Sequence, residues 1–413
     1  MNGPNRRNSG QPPIGRRVAQ LRTRRGMTQQ IFASRVGRSK SWVDKVERGV
    51  RTLDRLSVLE TVAAVLGVAP EVLLAREARR GELVAGVAAA VERVRAALAC
   101  YHAPGPGEAG WRPPLPLEEL DRRVAYTWMA YRHAHYSQVL RMLPDLLADA
   151  RQAREHGAPT GSARAADLLV RMYRLAAQML VKLGEANLAW LAADRAMATA
   201  AGDPRRTAIA AIPLVQALRA LEEGQLAMIA ASTAVRRLAS HPSHDFPPDH
   251  LALAGTLLVE AALAAARTDS AAARDLIDHA THLADAHGDR PDRDNNDIEY
   301  GPTVVALARA LITADLGDPH QAVIIHKRAT NGDAWNRLPA EHRAAHLIDM
   351  ARIHLDSGNP RAAGRALVTA DRIAPAETRI RPAARTVLTA LLRDGPADAD
   401  VTRLAALIGL TNP

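Results

Sequence analysis

Glycine-centred breaks recur through residues 117–413 and constrain the fold more than any other feature of the chain. In this region, amphipathic stretches of about 15–22 residues alternate with short polar segments. The breaks at Gly184 and Gly224 lie 40 residues apart, and those at Gly317 and Gly358 lie 41 apart. A period of about 40–47 residues with two helices per unit is the signature of a helical solenoid.

Composition also favours helices over sheets. Only 3% of the residues are aromatic, whereas sheets favour aromatic and β-branched side chains. The 47% hydrophobic and 24% charged content is typical of a folded chain and excludes collagen-like and broadly disordered classes. We therefore expect an all-α protein.

Two of the units resemble tetratricopeptide repeats (TPRs), which need small residues where their helices approach closely. With Gly184 and Gly358 as the turns between two helices, the small residues and the terminal proline of the pattern are Ala177, Ala189, Ala193, Ala196, Ala351, Ala363, Ala370 and Pro375. The units at Gly224 and Gly317 fit less well, because Arg309 stands where an apolar residue is expected. The sequence therefore predicts a TPR-like α-solenoid.

Charge divides the chain unevenly. Residues 1–80 hold 17 Lys+Arg against 6 Asp+Glu, whereas residues 81–413 hold 37 against 38. A compact basic segment attached to a neutral body suggests a module that binds a polyanion, with nucleic acid first and a membrane surface second.

The chain is predicted to have four segments. Residues 1–13 form a disordered basic tail, and residues 14–75 form a domain of five short helices. Residues 76–116 combine a linker helix with APGPGEAGWRPPLP, whose five prolines and three glycines in 14 residues exclude a regular element. Residues 117–413 hold the repeats, expected to serve as a sensor and dimerisation domain.

A helix-turn-helix pattern lies within the basic segment, at residues 18–54. Thr28 and Ser39 can cap two short helices, with Gly37 as the tight turn between them. The residues that would face the core are Phe32, Val36, Val43 and Val46. The open face of the second helix then carries Lys40, Ser41, Asp44 and Lys45. A helix with a basic open face fits the DNA major groove.

This segment resembles the helix-turn-helix of the Xre family, also called lambda-Cro/repressor-like. The resemblance covers about 60 residues and rests on Met27-Thr28-Gln29, Phe32-Ala33, Val36-Gly37 and Val46-Glu47-Arg48-Gly49. It implies a five-helix lambda-repressor-like domain that binds double-stranded DNA, with Leu66-Gly67-Val68 closing the fifth helix. A domain that kept this fold but lost DNA binding is the alternative, and the charge surplus argues against it.

The resemblance assigns roles to individual residues. Gln29 is expected to contact the phosphate backbone and to brace the recognition helix. Lys40, Ser41 and Lys45 match the base-reading positions, where Lys suits guanine. The remaining DNA-contacting positions are the two caps, Thr28 and Ser39, and the phosphate-binding arginines Arg38, Arg48 and Arg51.

Three features of the segment have alternative interpretations. Asp44 could accept from a cytosine amine or pair with Lys40 one turn earlier, and the pair is favoured. Trp42 departs from the small polar residue usual in the family, so it could pack against the backbone or contact a thymine methyl. The seven arginines within residues 1–25 could form an arm along the groove or a solvated tail.

The repeats predict a concave groove lined by the first helix of each pair. The Gly184 and Gly358 registers place six polar residues in it, namely Arg171, Arg174, Gln178, Lys182, Arg352 and Asp356. This mix suits a peptide backbone or an anionic ligand, and a solvated face is the alternative. The aromatic residues Tyr126, Trp128, Tyr131 and Tyr136 are expected in the core or cap of the array rather than in a ligand pocket.

The combined architecture is similar to that of the RRNPP-type regulators of Gram-positive bacteria, which respond to quorum-sensing peptides. The resemblance implies a homodimer whose repeats bind a signalling peptide or small-molecule effector. We therefore expect a bacterial transcriptional regulator that binds an inverted-repeat operator as a dimer. The alternative is a DNA-tethered scaffold whose repeats recruit a protein partner without a small ligand.

Other motifs do not point to catalysis, a cofactor or a metal. GPGEAG (105–110) matches the dinucleotide-binding glycine pattern but follows a helix and opens none. The spaced pairs His342/His346 and His279/His282 are expected to be surface histidines. No nucleophile or acid–base set is recognisable, so an enzyme is not expected.

The remaining features predict a cytoplasmic protein. Cys100 is the only cysteine, which excludes an intramolecular disulfide. The first residues lack the apolar core of a signal peptide. The apolar stretch Leu251 to Ala266 contains Glu260 and predicts a buried helix rather than a membrane span.

Overall fold

The computed structural model describes residues 14–51, 53, 56–68, 73, 76–200, 202–239, 248–289, 298–393 and 398–410. Every regular element within these residues is a helix, so the predicted all-α class is confirmed. The predicted tail, residues 1–13, lies outside them. Two compact units are present. The N-terminal unit ends at Gly86 and also includes residues 405–410, and the C-terminal unit spans Val87–Leu404.

Four helices are described in the N-terminal unit before residue 69: α1 (Ile14–Arg24), α2 (Gln29–Val36), α3 (Lys40–Glu47) and α4 (Leu56–Val65). They enclose a core in which Phe32, Val62 and Leu66 are fully buried. The Leu66-Gly67-Val68 ending, predicted for a fifth helix, instead closes α4, where Gly67 has a φ of 52°. Residues 69–72 and 74–75, where a further helix was expected, lie outside the described residues.

Gly15 allows α1 to approach the end of α3. A Cβ atom on this residue would lie 2.0 Å from the carbonyl oxygen of Val46, so no larger side chain fits there. The helix that precedes the helix-turn-helix is thereby packed directly on its second helix.

The C-terminal unit consists of helix pairs that follow a long helix, α5 (Arg76–Ala99), whose first part groups with the N-terminal unit. The first helices of the six pairs are α6 (Leu117–Arg132), α8 (Ser162–Lys182), α10 (Pro204–Ala220), α12 (Pro248–Ala265), α14 (Pro302–Asp315) and α17 (Ala340–Asp356). Their partners are α7 (Tyr136–His156), α9 (Ala186–Ala200), α11 (Gly224–Ala239), α13 (Ser270–His287), α15 (Pro319–Ala329) and α18 (Pro360–Ile373). The repeating pairs confirm the predicted solenoid-like body.

Short helices complete this unit. They are a 3-10 turn (Pro159–Gly161), α16 (Asp333–Arg337), α19 (Pro375–Ile380), α20 (Pro382–Arg393) and α21 (Ala399–Leu407).

Left-handed residues make the turns inside most pairs. Gly184, Gly317 and Gly358 have φ values of 79°, 95° and 71°, so the predicted breaks at these positions are the turns of the structure. At the predicted Gly224 break, the left-handed residue is Glu222, with a φ of 64°, and Gly224 begins α11. A Cβ on Gly224 would lie 3.0 Å from the Ala264 carbonyl oxygen of α12, so α11 approaches α12 closely at this glycine.

Residues 103–116 contain no helix, as their proline content predicts. The segment is nevertheless tied to α7: the Ala103 amide donates to Glu155 at 2.9 Å. Just before it, Arg151 donates to the carbonyl oxygens of Ala97 and Cys100, at 2.6 and 2.8 Å. These hydrogen bonds fix the start of the segment on the C-terminal unit.

Candidate DNA-binding surface and ligand cavity

Two side-chain caps begin the helices of the helix-turn-helix. The Thr28 hydroxyl accepts from the Ile31 amide, and the Ser39 hydroxyl accepts from the Trp42 amide, both at 3.2 Å. Gly37, with a φ of 68°, forms the turn between the helices. The local signals in the sequence thus set where α2 ends and where α3 starts.

A buried polar network holds α3 against α1 and α2. The Arg22 guanidinium donates to both carboxylate oxygens of Glu47, at 2.6 and 3.1 Å, and the Gln29 amide donates to the same carboxylate at 2.8 Å. The two ion-pair side chains are only 14% and 7% exposed. Gln29 therefore braces α3, whereas the contact of Arg22 with Glu47 was not predicted, because no pattern in the sequence links the two residues.

The open face of α3 is basic. Val43 and Val46 are buried in the core, while Lys40, Ser41 and Lys45 are exposed. Asp44 was expected to pair with Lys40, and this interpretation is wrong: its carboxylate pairs with Arg48, one turn later in the chain. Lys40 is consequently not held by that carboxylate.

The other predicted DNA-contacting residues surround this face. Trp42 is half-buried and packs against the domain core, and the Arg38 guanidinium carbon lies 5.8 Å from the centre of its ring. The remaining members of the set are exposed, namely Thr28, Arg38, Ser39, Arg48 and Arg51. Each of them lies at or beside an end of α2 or α3 and carries a polar or basic side chain.

A cavity of about 290 Å³ lies in the C-terminal unit. Its helical lining comes entirely from the first helices of the six pairs, and the second helices contribute nothing to it. This arrangement follows from the repeat, because the first helices face inward at equivalent positions.

The predicted ligand-contacting residues fall in three places. Arg174, Gln178 and Lys182 line this cavity. Arg171 does not; its guanidinium lies 3.2 Å from the carboxylate of Asp121. Arg352 lines an adjoining cavity of about 400 Å³, and Asp356 is an exposed side chain that pairs with Arg352 at 3.4 Å.

Aromatic residues of α6 also line the cavity, although the sequence favoured a core or cap role. Trp128 and Tyr131 are 2% and 6% exposed, so they belong to the core and to the cavity wall together. Their rings meet edge to face, with centroids 5.7 Å apart. Tyr136 is buried beside them, and Tyr126 is exposed.

A buried ionic cluster joins the first two helix pairs to the last helices. Lys182 Nζ lies 2.9 Å from Glu341 and 2.5 Å from Glu377. The Tyr136 hydroxyl also donates to Glu377, and Arg381 lies 3.5 Å from the same carboxylate. The ends of the helical array are therefore tied together beside the cavity.

Burial and charge act in opposite directions in this cluster. Burial disfavours the charge on Lys182, yet the carboxylates of Glu341 and Glu377 raise its pKa well above the usual value. Burial likewise opposes the charge on Glu377, but Lys182 and Arg381 hold the pKa of that carboxyl below its usual range. Both groups are consequently charged at neutral pH.

The expectation that His342 and His346 are surface residues is wrong. His346 is 4% exposed, and its Nε2 lies 3.0 Å from Nδ1 of His326. His342 is half-buried and lines the cavity. The helix bearing both packs inward, whereas His279 and His282 are exposed as predicted.

Burial keeps these histidines neutral. It lowers the pKa of His326 to about 4 and the pKa values of His342 and His346 in the same direction. Within the described part of the chain, no group of three or more His, Cys, Asp or Glu side chains is placed to hold a metal ion.

Tyr300 closes one side of the cavity, in a segment whose preceding residues, 290–297, lie outside the described residues. Its hydroxyl donates to the Ala280 carbonyl at 2.6 Å. Its ring lies against Gly255, where a Cβ would come within 1.9 Å of the ring carbon Cζ. Tyr300, together with Ile298 and Glu299 before it, thus supplies part of the cavity wall.

Comparison with known proteins assigns the N-terminal segment. Residues 13–76 match a family model described as a helix-turn-helix domain. This segment is therefore a helix-turn-helix domain, a motif whose second helix enters the DNA major groove. No curated protein sequence matches the chain.

Two solved structures are similar over most of the chain. One is Bacillus thuringiensis PlcR in complex with the peptide PapR7 and DNA, with 13% identity, coverage of 66% of this chain and 94% of that chain, and a TM-score of 0.33. The other is a mutant of PrgX, with 10% identity, coverage of 84% and 95%, and a TM-score of 0.36. Separately, no helix among the described residues is long and apolar enough to cross a membrane.

Proposed function

We propose that the protein is a bacterial, cytoplasmic transcriptional regulator that binds an inverted-repeat operator as a homodimer. Its affinity for DNA would change when a peptide or small molecule occupies the cavity of the helical repeats. Residues 14–75 would bind DNA, residues 76–116 would connect the two domains, and residues 117–413 would bind the effector and form the dimer. The proposal includes no catalytic activity.

One observation supports the DNA-binding part of the proposal: α3 is fixed to α1 and α2 by buried hydrogen bonds, and its exposed face is basic. The Arg22–Glu47–Gln29 network holds α3 in place, so Lys40 and Lys45 are presented on a rigid element. A rigid helix is what base reading requires, because a contact to a base edge depends on its geometry.

The ligand-responsive part is supported by the cavity. It is bounded by side chains from all six helix pairs, so a ligand inside it would touch the whole array at once. A ligand with different affinity for two arrangements of the pairs would shift the balance between them.

A gel-shift assay tests the DNA-binding part, using an operator selected from random double-stranded DNA. The variant Lys40→Ala/Lys45→Ala should weaken binding to the selected site by at least tenfold, since a good side-chain contact to a base contributes roughly 1–3 kcal/mol of discrimination. Lys327→Ala/Arg328→Ala is the matched control, because it removes the same charge from exposed positions on α15.

The outcomes separate base reading from general attraction to phosphates. Base reading predicts that the α3 variant loses more affinity for the selected site than for unrelated DNA. Equal binding by the α3 variant and the control would contradict the proposed role of α3.

A protein-recruiting scaffold is the alternative function, favoured by exposed apolar residues on second helices. Leu226 and Ile229, three positions apart on α11, are 50% and 55% exposed, and Trp190 on α9 is 49% exposed. A stoichiometric protein partner that is lost in Leu226→Ser/Ile229→Ser, together with no thermal shift by small ligands, would favour the scaffold.

A further inference from the structure

We infer that the effector cavity takes an uncharged, compact ligand that carries both a hydrogen-bond acceptor and a hydrogen-bond donor on an apolar body, as an amide does. This inference rests on the proposed function of the cavity as the effector site. It narrows the ligand class to molecules without a free ammonium or carboxylate inside the cavity.

Charge balance in the cavity wall is the first reason. Five basic side chains line the cavity, Arg132, Arg174, Lys182, Arg219 and Arg381, together with four carboxylates, Glu260, Glu299, Glu341 and Asp349. The fifth carboxylate, Glu377, does not line the cavity but is buried against Lys182 and Arg381, so the charges of the wall and of its immediate partners balance. Arg219 lies 2.9 Å from Glu260, and Lys182 lies 2.9 Å from Glu341. A charged ligand would have to leave water without meeting a net opposite charge in the wall, which is unfavourable.

Two unsatisfied polar atoms are the second reason. Trp128 Nε1 and Gln178 Oε1 are both shielded from solvent and have no hydrogen-bond partner among the described residues. Within that part of the chain, no other uncharged side chain has such an atom, and both residues line this one cavity. Because an unsatisfied buried polar group is unfavourable, a ligand that supplies the missing partners is favoured.

The two atoms need complementary partners. The indole N–H of Trp128 donates and therefore needs an acceptor, whereas the Gln178 oxygen accepts and therefore needs a donor. An amide offers both groups within a few ångströms.

The rest of the wall suits an apolar body. Ile212, Val259 and Leu307 contribute aliphatic surface, beside the rings of Tyr131 and Tyr300. The cavity volume of about 290 Å³ lies at the lower end of the usual range of ligand sites. A linear peptide with free ends is therefore disfavoured inside the cavity, and a capped or cyclic one is not.

Three probes that share the leucine side chain test the inference: N-acetyl-L-leucine amide, N-acetyl-L-leucine and L-leucine amide. At pH 7 they are neutral, anionic and cationic. Binding to the full chain, without DNA, is measured by ligand-observed NMR titration. We expect the neutral probe to bind at least fivefold more tightly than either charged probe.

Two variants locate the contacts. Trp128→Phe retains the aromatic ring but removes the N–H, and Gln178→Leu removes the amide. Each should weaken the neutral probe by roughly three- to tenfold, the range that one hydrogen bond spans. Trp190→Phe is the matched control, because Trp190 is exposed and lies outside the cavity wall. Thermal melts check that each variant is folded. Gln178→Glu places a negative charge in the cavity wall and should therefore increase the affinity for the cationic probe relative to the neutral one.

Equal or tighter binding of a charged probe, no binding of any probe, or unchanged affinity in both Trp128→Phe and Gln178→Leu would each overturn the inference. These outcomes do not depend on DNA. If a charged probe binds more tightly than the neutral one while operator binding still requires Lys40 and Lys45, the inferred ligand class is wrong and the DNA-binding function stands. If the neutral probe binds most tightly but no operator is found, the ligand class stands and the DNA-binding function is wrong.

Discussion

Lys182 Nζ lies 2.5 Å from Glu377 Oε1, although the two residues are 195 positions apart in the chain. The contact joins the second helix pair to α19, and it is almost entirely shielded from water: the side chains are 12% and 0% exposed. The ion pair therefore links the second helix pair to α19 beside the cavity.

Removing the cation should destabilise the C-terminal unit strongly. Lys182→Met leaves the buried Glu377 and Glu341 carboxylates without their ammonium, and breaking a buried pair from one side costs about 3–5 kcal/mol. Urea unfolding of the full chain, followed by far-UV circular dichroism, measures the loss. Lys327→Met at an exposed position should change the free energy of unfolding by less than about 0.5 kcal/mol.

The double variant Lys182→Met/Glu377→Gln sharpens this prediction. Because it removes a buried charge as well as its partner, it should be more stable than Lys182→Met alone. A double variant that is less stable than the single one would contradict the view that the Glu377 carboxylate, deprived of the Lys182 ammonium, causes the loss.

Acidification should destabilise the protein before its carboxylates are protonated. Burial lowers the pKa of His326 to about 4 and that of His346 below 6.5, so the folded protein binds fewer protons than the unfolded chain in this range. Stability contributed by these groups is present above pH 6.5 and is lost as the pH falls towards the folded pKa values. Urea unfolding at pH 7, 6 and 5 should therefore show a decreasing free energy of unfolding.

His346→Leu tests the source of that decrease. The variant has one buried histidine fewer, so its free energy of unfolding should fall less steeply between pH 7 and pH 5, whatever its value at pH 7. A matched replacement at the exposed position, His279→Leu, should keep the slope of the unmodified protein. The same slope in both variants would assign the pH dependence to other groups.

The Arg22–Glu47 pair should determine both the stability of the helix-turn-helix and its DNA affinity. Glu47→Ala leaves Arg22 buried without its carboxylate and frees Gln29, so we expect a loss of about 3 kcal/mol in the N-terminal unit. DNA binding should weaken although no DNA-facing residue has changed. The readouts are thermal unfolding and a gel shift with the selected operator.

Asp44→Ala is the control for that experiment. It breaks the Asp44–Arg48 pair on the same helix, whose side chains are 40% and 62% exposed, and surface pairs contribute only about 0–1 kcal/mol. If Asp44→Ala destabilised the domain as much as Glu47→Ala, buried bracing would not be the cause.

Gly255 should tolerate no side chain. The Cβ of Gly255→Ala would lie 1.9 Å from Tyr300 Cζ, so the ring must leave the cavity wall and lose its hydrogen bond to Ala280. Overpacking of this kind costs about 1–3 kcal/mol, and binding of the neutral probe should weaken. Gly86→Ala, at a helical glycine with open space around it, should be neutral or stabilising by up to about 1 kcal/mol.

Sequence patterns predicted the features that depend on neighbouring residues. The caps Thr28 and Ser39, the turn at Gly37 and the breaks at Gly184, Gly317 and Gly358 are local, since each is set by a few adjacent side chains and backbone angles. The inward position of the first helices follows from the repeat in the same way. These signals were enough for the fold class and for the face of α3 that is exposed.

Long-range pairing could not be predicted from such patterns. Nothing near Glu377 indicates that Tyr136, 241 residues earlier, donates to it. The buried His346 likewise contacts His326, which a different helix, α15, supplies. Asp44 lies four residues from both Lys40 and Arg48, and the sequence does not indicate that it pairs with Arg48. These outcomes are set by how the helix pairs and their side chains are arranged in space, which the local sequence does not encode.

The ion pairs at Lys182 also fix the number of repeats. A linear array can gain or lose a helix pair at either end, because each unit contacts only its neighbours. Here an added or deleted pair would move Glu341 and Glu377 away from Lys182, leaving buried charges on both sides. Related chains that retain the Lys182 and Glu377 equivalents should therefore vary in their turns and surfaces but keep the same count of helix pairs between them.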